Sequence, residues 1–154
     1  MSGIVIPKVN VDIVIWDVGK KQILRTEKVG NLAVLSGRNL LRDFLYGDAV
    51  SGLGRFALGT DGTAPTANDT ALGTEVFRDQ FTKVTKESGK LTAQYYLSST
   101  SANGNTLQEA GAFANGATDT PGSGTLYARV TFTPIAKTSS IAVTFTWELT
   151  WEVS

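Results

Sequence analysis

The chain has 154 residues, Lys plus Arg balances Asp plus Glu at 14 each, and it contains neither Cys nor His. Those absences exclude disulfides, thiolate nucleophiles, imidazole bases and Cys/His zinc sites, and the even charge leaves nothing to steer the chain to nucleic acid or anionic lipid. The length is that of one domain able to bury a core without staples.

Residues 1–8 lack the charged start and long apolar stretch of a signal peptide, and no run approaches the ~20 apolar residues of a membrane span. The expectation is a soluble chain without an export signal. Pro7 closes this stretch, which reads as an N-terminal arm whose Ile4, Val5 and Ile6 are available to a neighbour's sheet edge. Residues 9–154 read as a single domain. From Val9 the chain alternates, with Val9, Val11, Ile13 and Ile15 against Asn10, Asp12, Val14 and Trp16. Asp17-Val18-Gly19-Lys20 is turn chemistry, residues 21–27 run back, and a hairpin follows. Gly30-Asn31 is expected to break it before the short apolar segment 32–35.

One helix is expected, at about 36–46 and close to the marginal length for an isolated helix. Ser36 is placed to cap it, Leu40, Leu41, Phe44 and Leu45 form an apolar stripe that must dock on a sheet, and Gly47 suits the left-handed residue that ends it. Phe56-Ala57-Leu58 is a short strand, followed by a long polar connection over 59–70. Residues 72–86 resume extended character, with a bulge or bend near Phe77 and Arg78. After the turn at 87–90, Leu91, Ala93, Tyr95 and Leu97 alternate with Thr92, Gln94 and Tyr96. Asn103-Gly104 is a strong turn dipeptide, and further strands are expected over 106–113, ending at Phe113, and 126–132.

The closing stretch gives the strongest signal. Ile141, Val143, Phe145, Trp147, Leu149, Trp151 and Val153 fall on one face, and Ala142, Thr144, Thr146, Glu148, Thr150 and Glu152 on the other. Unbroken period two with β-branched and aromatic residues is a strand that needs a broad apolar partner. Charged residues are only 18% of the chain, and Gly, Thr and Ser abound, as in a turn-rich β protein whose surface partners cover. The architecture expected is a mainly β, antiparallel sandwich of about eight strands with one short helix.

Few residues carry reaction chemistry. Gly122-Ser123-Gly124 lacks the spacing of a nucleophile elbow, no phosphate-binding glycine loop occurs, and Glu148 with Glu152 reads as a polar strand face. No catalytic residue, cofactor or metal is assigned. Asp61, Asn68 and Asp69 offer oxygen atoms of the kind Ca²⁺ takes, without a bidentate Glu at an ordered spacing; as turn formers they need no metal. Asn68-Asp69-Thr70 matches a glycosylation sequon with no secretory context. Phe145, Trp147 and Trp151, sharing one strand face, are core or subunit interface before they are a sugar platform, and Phe44 and Phe113 are further core or interface candidates. Tyr95-Tyr96 sends one ring outward, and an exposed Tyr96 is an interface hint.

Three spaced segments resemble a family. Phe56-Ala57-Leu58-Gly59-Thr60-Asp61-Gly62-Thr63-Ala64-Pro65, with Asp69-Thr70-Ala71-Leu72 and Glu75-Val76-Phe77-Arg78, is similar to a pattern of tailed-bacteriophage structural proteins. Asn103-Gly104-Asn105-Thr106-Leu107-Gln108-Glu109-Ala110-Gly111-Ala112-Phe113 resembles a second segment of theirs. Gly124-Thr125-Leu126-Tyr127-Ala128-Arg129-Val130, followed by Lys137-Thr138 and the Trp-rich strand, resembles a third. The order matches N-terminal or collar regions of tail-fibre proteins and small stand-alone virion proteins over about residues 30–153. Asp61 stands where that family often has Gly, and Ala112 where Leu is common. A fibre would run on into a shaft and receptor-binding tip, whereas this sequence stops at Ser154.

The resemblance implies a non-enzymatic virion part, assembled in the host bacterial cytoplasm. Its partners would be other virion proteins, and its copies would be related by symmetry as trimers or hexamers. A tail component of the fibre-attachment or baseplate type is the leading expectation, and a head decoration (cement) protein the alternative. A carbohydrate-binding module using Tyr96, Trp16 or the 59–70 loop is a reading from another class, and a hydrolase built on Glu148 and Glu152 is the remotest.

Overall fold

The computed structural model describes residues 8–151. The arm residues Ile4, Val5 and Ile6, and Glu152 and Val153, lie outside them. The chain is mainly β, as expected. In order it forms β1 (Lys8–Asp17), β2 (Gln22–Ala33), α1 (Leu35–Tyr46), β3 (Leu53–Gly59), β4 (Glu75–Gln80), β5 (Lys83–Glu87), β6 (Lys90–Leu97), β7 (Thr106–Ala114), β8 (Thr125–Ala136) and β9 (Ile141–Thr150). The extended stretch 72–86 resolves into two strands, which gives nine rather than eight.

All pairings are antiparallel, and the strands lie in the order β4-β3-β7-β8-β2-β1-β9-β6-β5. The two edge strands are β4 and β5, yet only Phe81 and Thr82 separate them in sequence. Such a link spans about 10 Å at full extension. The sheet must therefore curl until its edges nearly meet. Its two halves then face each other as the layers of a sandwich do, and aromatic rings bridge the gap. Phe56 of β3 stacks on Tyr95 of β6 at 4.5 Å and leans on Phe145 of β9 at 5.0 Å, while Phe132 of β8 meets Phe145 at 5.7 Å. β2 joins the halves by leaving β1 after Asn31 and pairing Leu32 and Ala33 with Arg129 and Ala128 of β8.

β9 holds the centre of its half. Trp147 pairs with Val11 of β1 and Ala93 of β6, Phe145 with Ile13 and Tyr95, and all six are buried. The other face of β9 is half-exposed Thr and Glu, apart from Ala142, so the period-two reading holds through Leu149. A second, smaller core lies on the outer face of β3, β7 and β8. There Leu72, from the 59–74 connection, packs with Val34, Ala57, Phe113 and Leu126. Only Gly111 leaves room beneath it, since a Cβ there would lie 2.9 Å from the Leu72 methyl.

Three local expectations change. Gly30-Asn31 does not end β2: Gly30 pairs with Asn10 and Asn31 with Val9, because a ready-made partner strand overrides weak local propensity. Ser36 does not cap α1. Val34 occupies the cap position without a side-chain bond, and the Ser36 hydroxyl donates instead to the Leu126 carbonyl at 2.7 Å. The apolar stripe docks only in part. Gly37 and Leu40 are buried and Leu41 half-buried, but Phe44 and Leu45 are exposed. Gly37 sits so close to the Tyr127 backbone that a Cβ would collide with it. That approach fixes the first turns of α1 on β8, and the last turn overhangs. Gly47 ends the helix as expected, at φ +105, donating to the carbonyls of Asp43 and Phe44. The irregularity expected near Phe77 falls one residue earlier, where Val76 is skipped between the pairs Leu58–Phe77 and Gly59–Glu75.

Candidate subunit-contact surface

At one end of the curled sheet the two halves part, and α1 lies across the gap. An apolar groove of about 280 Å³ opens there. Leu53, Ala114 and Tyr127 line it from one half, Leu91, Leu149 and Trp151 from the other, and Leu40, Leu41 and Phe44 from the helix. Among the described residues no charged side chain lines it. Beside it the overhanging end of α1 exposes three large apolar residues in a row, Phe44 at 65%, Leu45 at 83% and Tyr46 at 86%. Isolated exposed apolar residues need no explanation, but a contiguous set beside an apolar groove marks a surface meant to be covered. Tyr127 adds a polar atom: its hydroxyl is buried without a hydrogen-bond partner among the described residues, and burial raises its pKa.

The sequence candidates divide cleanly. Phe145, Trp147 and Phe113 are buried core residues, and Arg78 stacks over the Phe113 ring at 4.0 Å. Phe44 and Trp151 share the groove, so for Phe44 the core role gives way to a surface one. Trp151, 37% exposed, lies at the rim, where β9 has ended. Tyr96 is exposed on the outward face of β6, in the row of Thr144 and Val14, away from this surface. Trp16 stands on the same outward face two strands over and one outward step along, about 10 Å or more from Tyr96. The two rings do not form one platform. Glu148 is ion-paired to Lys90 at 3.4 Å.

The loop residues take structural partners. Asp61 accepts from the Thr63 backbone N–H at 2.8 Å. Asp69 accepts from the Thr66 N–H at 3.0 Å and hydroxyl at 2.7 Å, and pairs with Arg129 Nη1 at 2.9 Å. Burial works against its ionisation, but the Thr66 and Arg129 bonds outweigh it and hold the carboxyl below the usual 3.8. Asn68 is exposed.

Two partners of this loop escaped the sequence reading. Glu109, fully buried, receives Arg129 Nε at 2.9 Å and the backbone N–H groups of Gly73 at 2.9 Å, Thr74 at 2.8 Å and Asp61 at 3.3 Å. Arg129 thus bridges Glu109 and Asp69 under the 59–74 connection. Their signal was present: a carboxylate and a guanidinium stand within apolar strand runs, and charged groups are buried only when paired. A further buried charge lies away from this loop: Lys137, 1% exposed, donates to Asn103 Oδ1 at 2.7 Å and to the Thr138 carbonyl at 3.1 Å, with its pKa lowered by burial. It fastens the Asn103-Gly104 turn, which carries the chain from one half to the other instead of closing a hairpin. Comparison with protein-family models, curated proteins and solved structures returns no match.

Proposed function

We propose that the chain is a non-enzymatic structural protein of a tailed-bacteriophage virion, acting through contacts between subunits, with its place in the tail at a fibre attachment or baseplate. The ordered resemblance of three segments carries this reading. One feature of the fold supports treating them as a unit. Asp69 comes from the first segment, Glu109 from the second and Arg129 from the third, and these are the three members of the buried ion cluster. Residues that look like separate patterns in the sequence thus serve one task, holding a long loop flat on a β body. A rigid body with pinned loops and an uncovered apolar end suits a building block, whose work is to keep its shape while neighbours fit against it.

The test is location. Antibody to this protein, imaged on purified virions by negative stain, is expected to decorate the tail. Label on the head would transfer the protein to the decoration class, and virions free of the chain by mass spectrometry would end the reading altogether.

A further inference from the structure

We infer that the uncovered end of the molecule is a self-association surface, in which the Phe44-Leu45-Tyr46 overhang of one copy seats in the apolar groove of a second copy. Three observations favour a copy of this chain as the occupant. The first is shape. The same helix end supplies both a protruding apolar edge and, through Phe44, one wall of the groove, so each copy carries the two halves of the contact side by side.

The second is charge. Copies of one chain bring identical fields together, and like charges facing each other disfavour the contact. Among the described residues the groove lining is uncharged, the chain carries no formal net charge, and the nearby Arg42 is paired with Asp43 at 2.6 Å. The third is area. With aromatic side chains of about 150–250 Å² each, the exposed parts of Phe44, Leu45, Tyr46 and Trp151 amount to about 500 Å² per copy. Two such faces bury about 1,000 Å², the lower bound for a specific contact and the size of a reversible one. A contact of that strength becomes firm when symmetry repeats it.

This inference rests on the structural-protein reading, and its test is separate from location. Sedimentation velocity of the full chain across about 1–200 µM is expected to show concentration-dependent self-association. Leu45→Glu with Tyr46→Glu is expected to weaken it at least about tenfold, with an unchanged melting temperature because both side chains project into solvent. A wild-type chain that stays monomeric throughout, or association indifferent to the double substitution, overturns the inference. So does association that appears only after residues 1–7 are removed, which would make the arm the occupant. Failure here leaves the virion assignment standing on its imaging result, and loss of that assignment leaves a measured self-contact intact.

Discussion

Trp147→Ala tests the core at its centre. The side chain is fully buried between Val11 and Ala93, and its indole N–H has no hydrogen-bond partner among the described residues. Burial of about 200 Å² at ~25 cal/mol per Å² gives about 5 kcal/mol. Removing an unsatisfied N–H returns ~1–2 kcal/mol, and the cavity left behind takes some of that back. The expected loss is about 4 kcal/mol. Trp147→Phe keeps an aromatic ring and also removes the orphan N–H, so it is expected to cost only about 1–2 kcal/mol. Trp151→Ala, at the groove rim, removes a half-covered ring and is expected to cost about 1 kcal/mol. Urea unfolding followed by far-ultraviolet circular dichroism measures all three, with the slope held common to keep two-state comparison valid. A loss below about 1 kcal/mol for Trp147→Ala would refute a sealed centre at this position.

Gly37→Ala is expected to destabilise by about 2 kcal/mol or more and to loosen α1, since its Cβ collides with the Tyr127 backbone; hydrogen exchange of the helix amides reads this directly. Glu109→Gln leaves Arg129 without its buried carboxylate and is expected to cost about 3–5 kcal/mol, with protease cleavage appearing in the 59–74 loop. Asp69 carries a pKa below its usual 3.8 in the folded state. Its stabilising share is therefore complete above the unfolded value and is lost as pH falls through the folded one. Denaturation midpoints taken from pH 6 down to about 3 should fall less steeply in Asp69→Asn than in the parent. Phe44→Asp places a carboxylate in a mostly exposed position and is expected to change stability by less than about 1 kcal/mol, where a docked Phe44 would have lost several.

Period and turn chemistry made the strands legible. Along β1, β6 and β9 the alternation reports a sheet with one buried and one polar face, and the hairpin of β1 with β2 follows from its Asp17–Lys20 turn. Helix docking was less legible, because a stripe at helical spacing gives a direction without a depth. Leu40 and Phe44 occupy equivalent positions in the pattern, yet the close pass of Gly37 over Tyr127 buries one and leaves the other overhanging. That contact joins residues about ninety positions apart, beyond the reach of any local window. The same holds for Glu109 and Arg129, whose burial depends on a loop folding back over β7 and β8 from 36 residues upstream of Glu109 and 60 upstream of Arg129.

Curling ties these observations together. Once the Phe81-Thr82 link brings the sheet edges close, the ends of the two halves have to be closed by something other than strands. The outer face of β3, β7 and β8 is covered separately by the 59–74 loop, whose backbone donors converge on Glu109 because a buried carboxylate needs several of them. At the groove end α1 closes the gap only as far as Leu41. Two coverings of unequal quality follow. One is fixed by an ion cluster and sealed by Leu72; the other is apolar, shallow and left open by an overhanging helix end. A free-standing protein gains nothing from the second arrangement, since exposing Phe44, Leu45 and Tyr46 together invites association. A subunit gains its contact from it, which is why the open end, rather than the sealed one, is where a partner is sought.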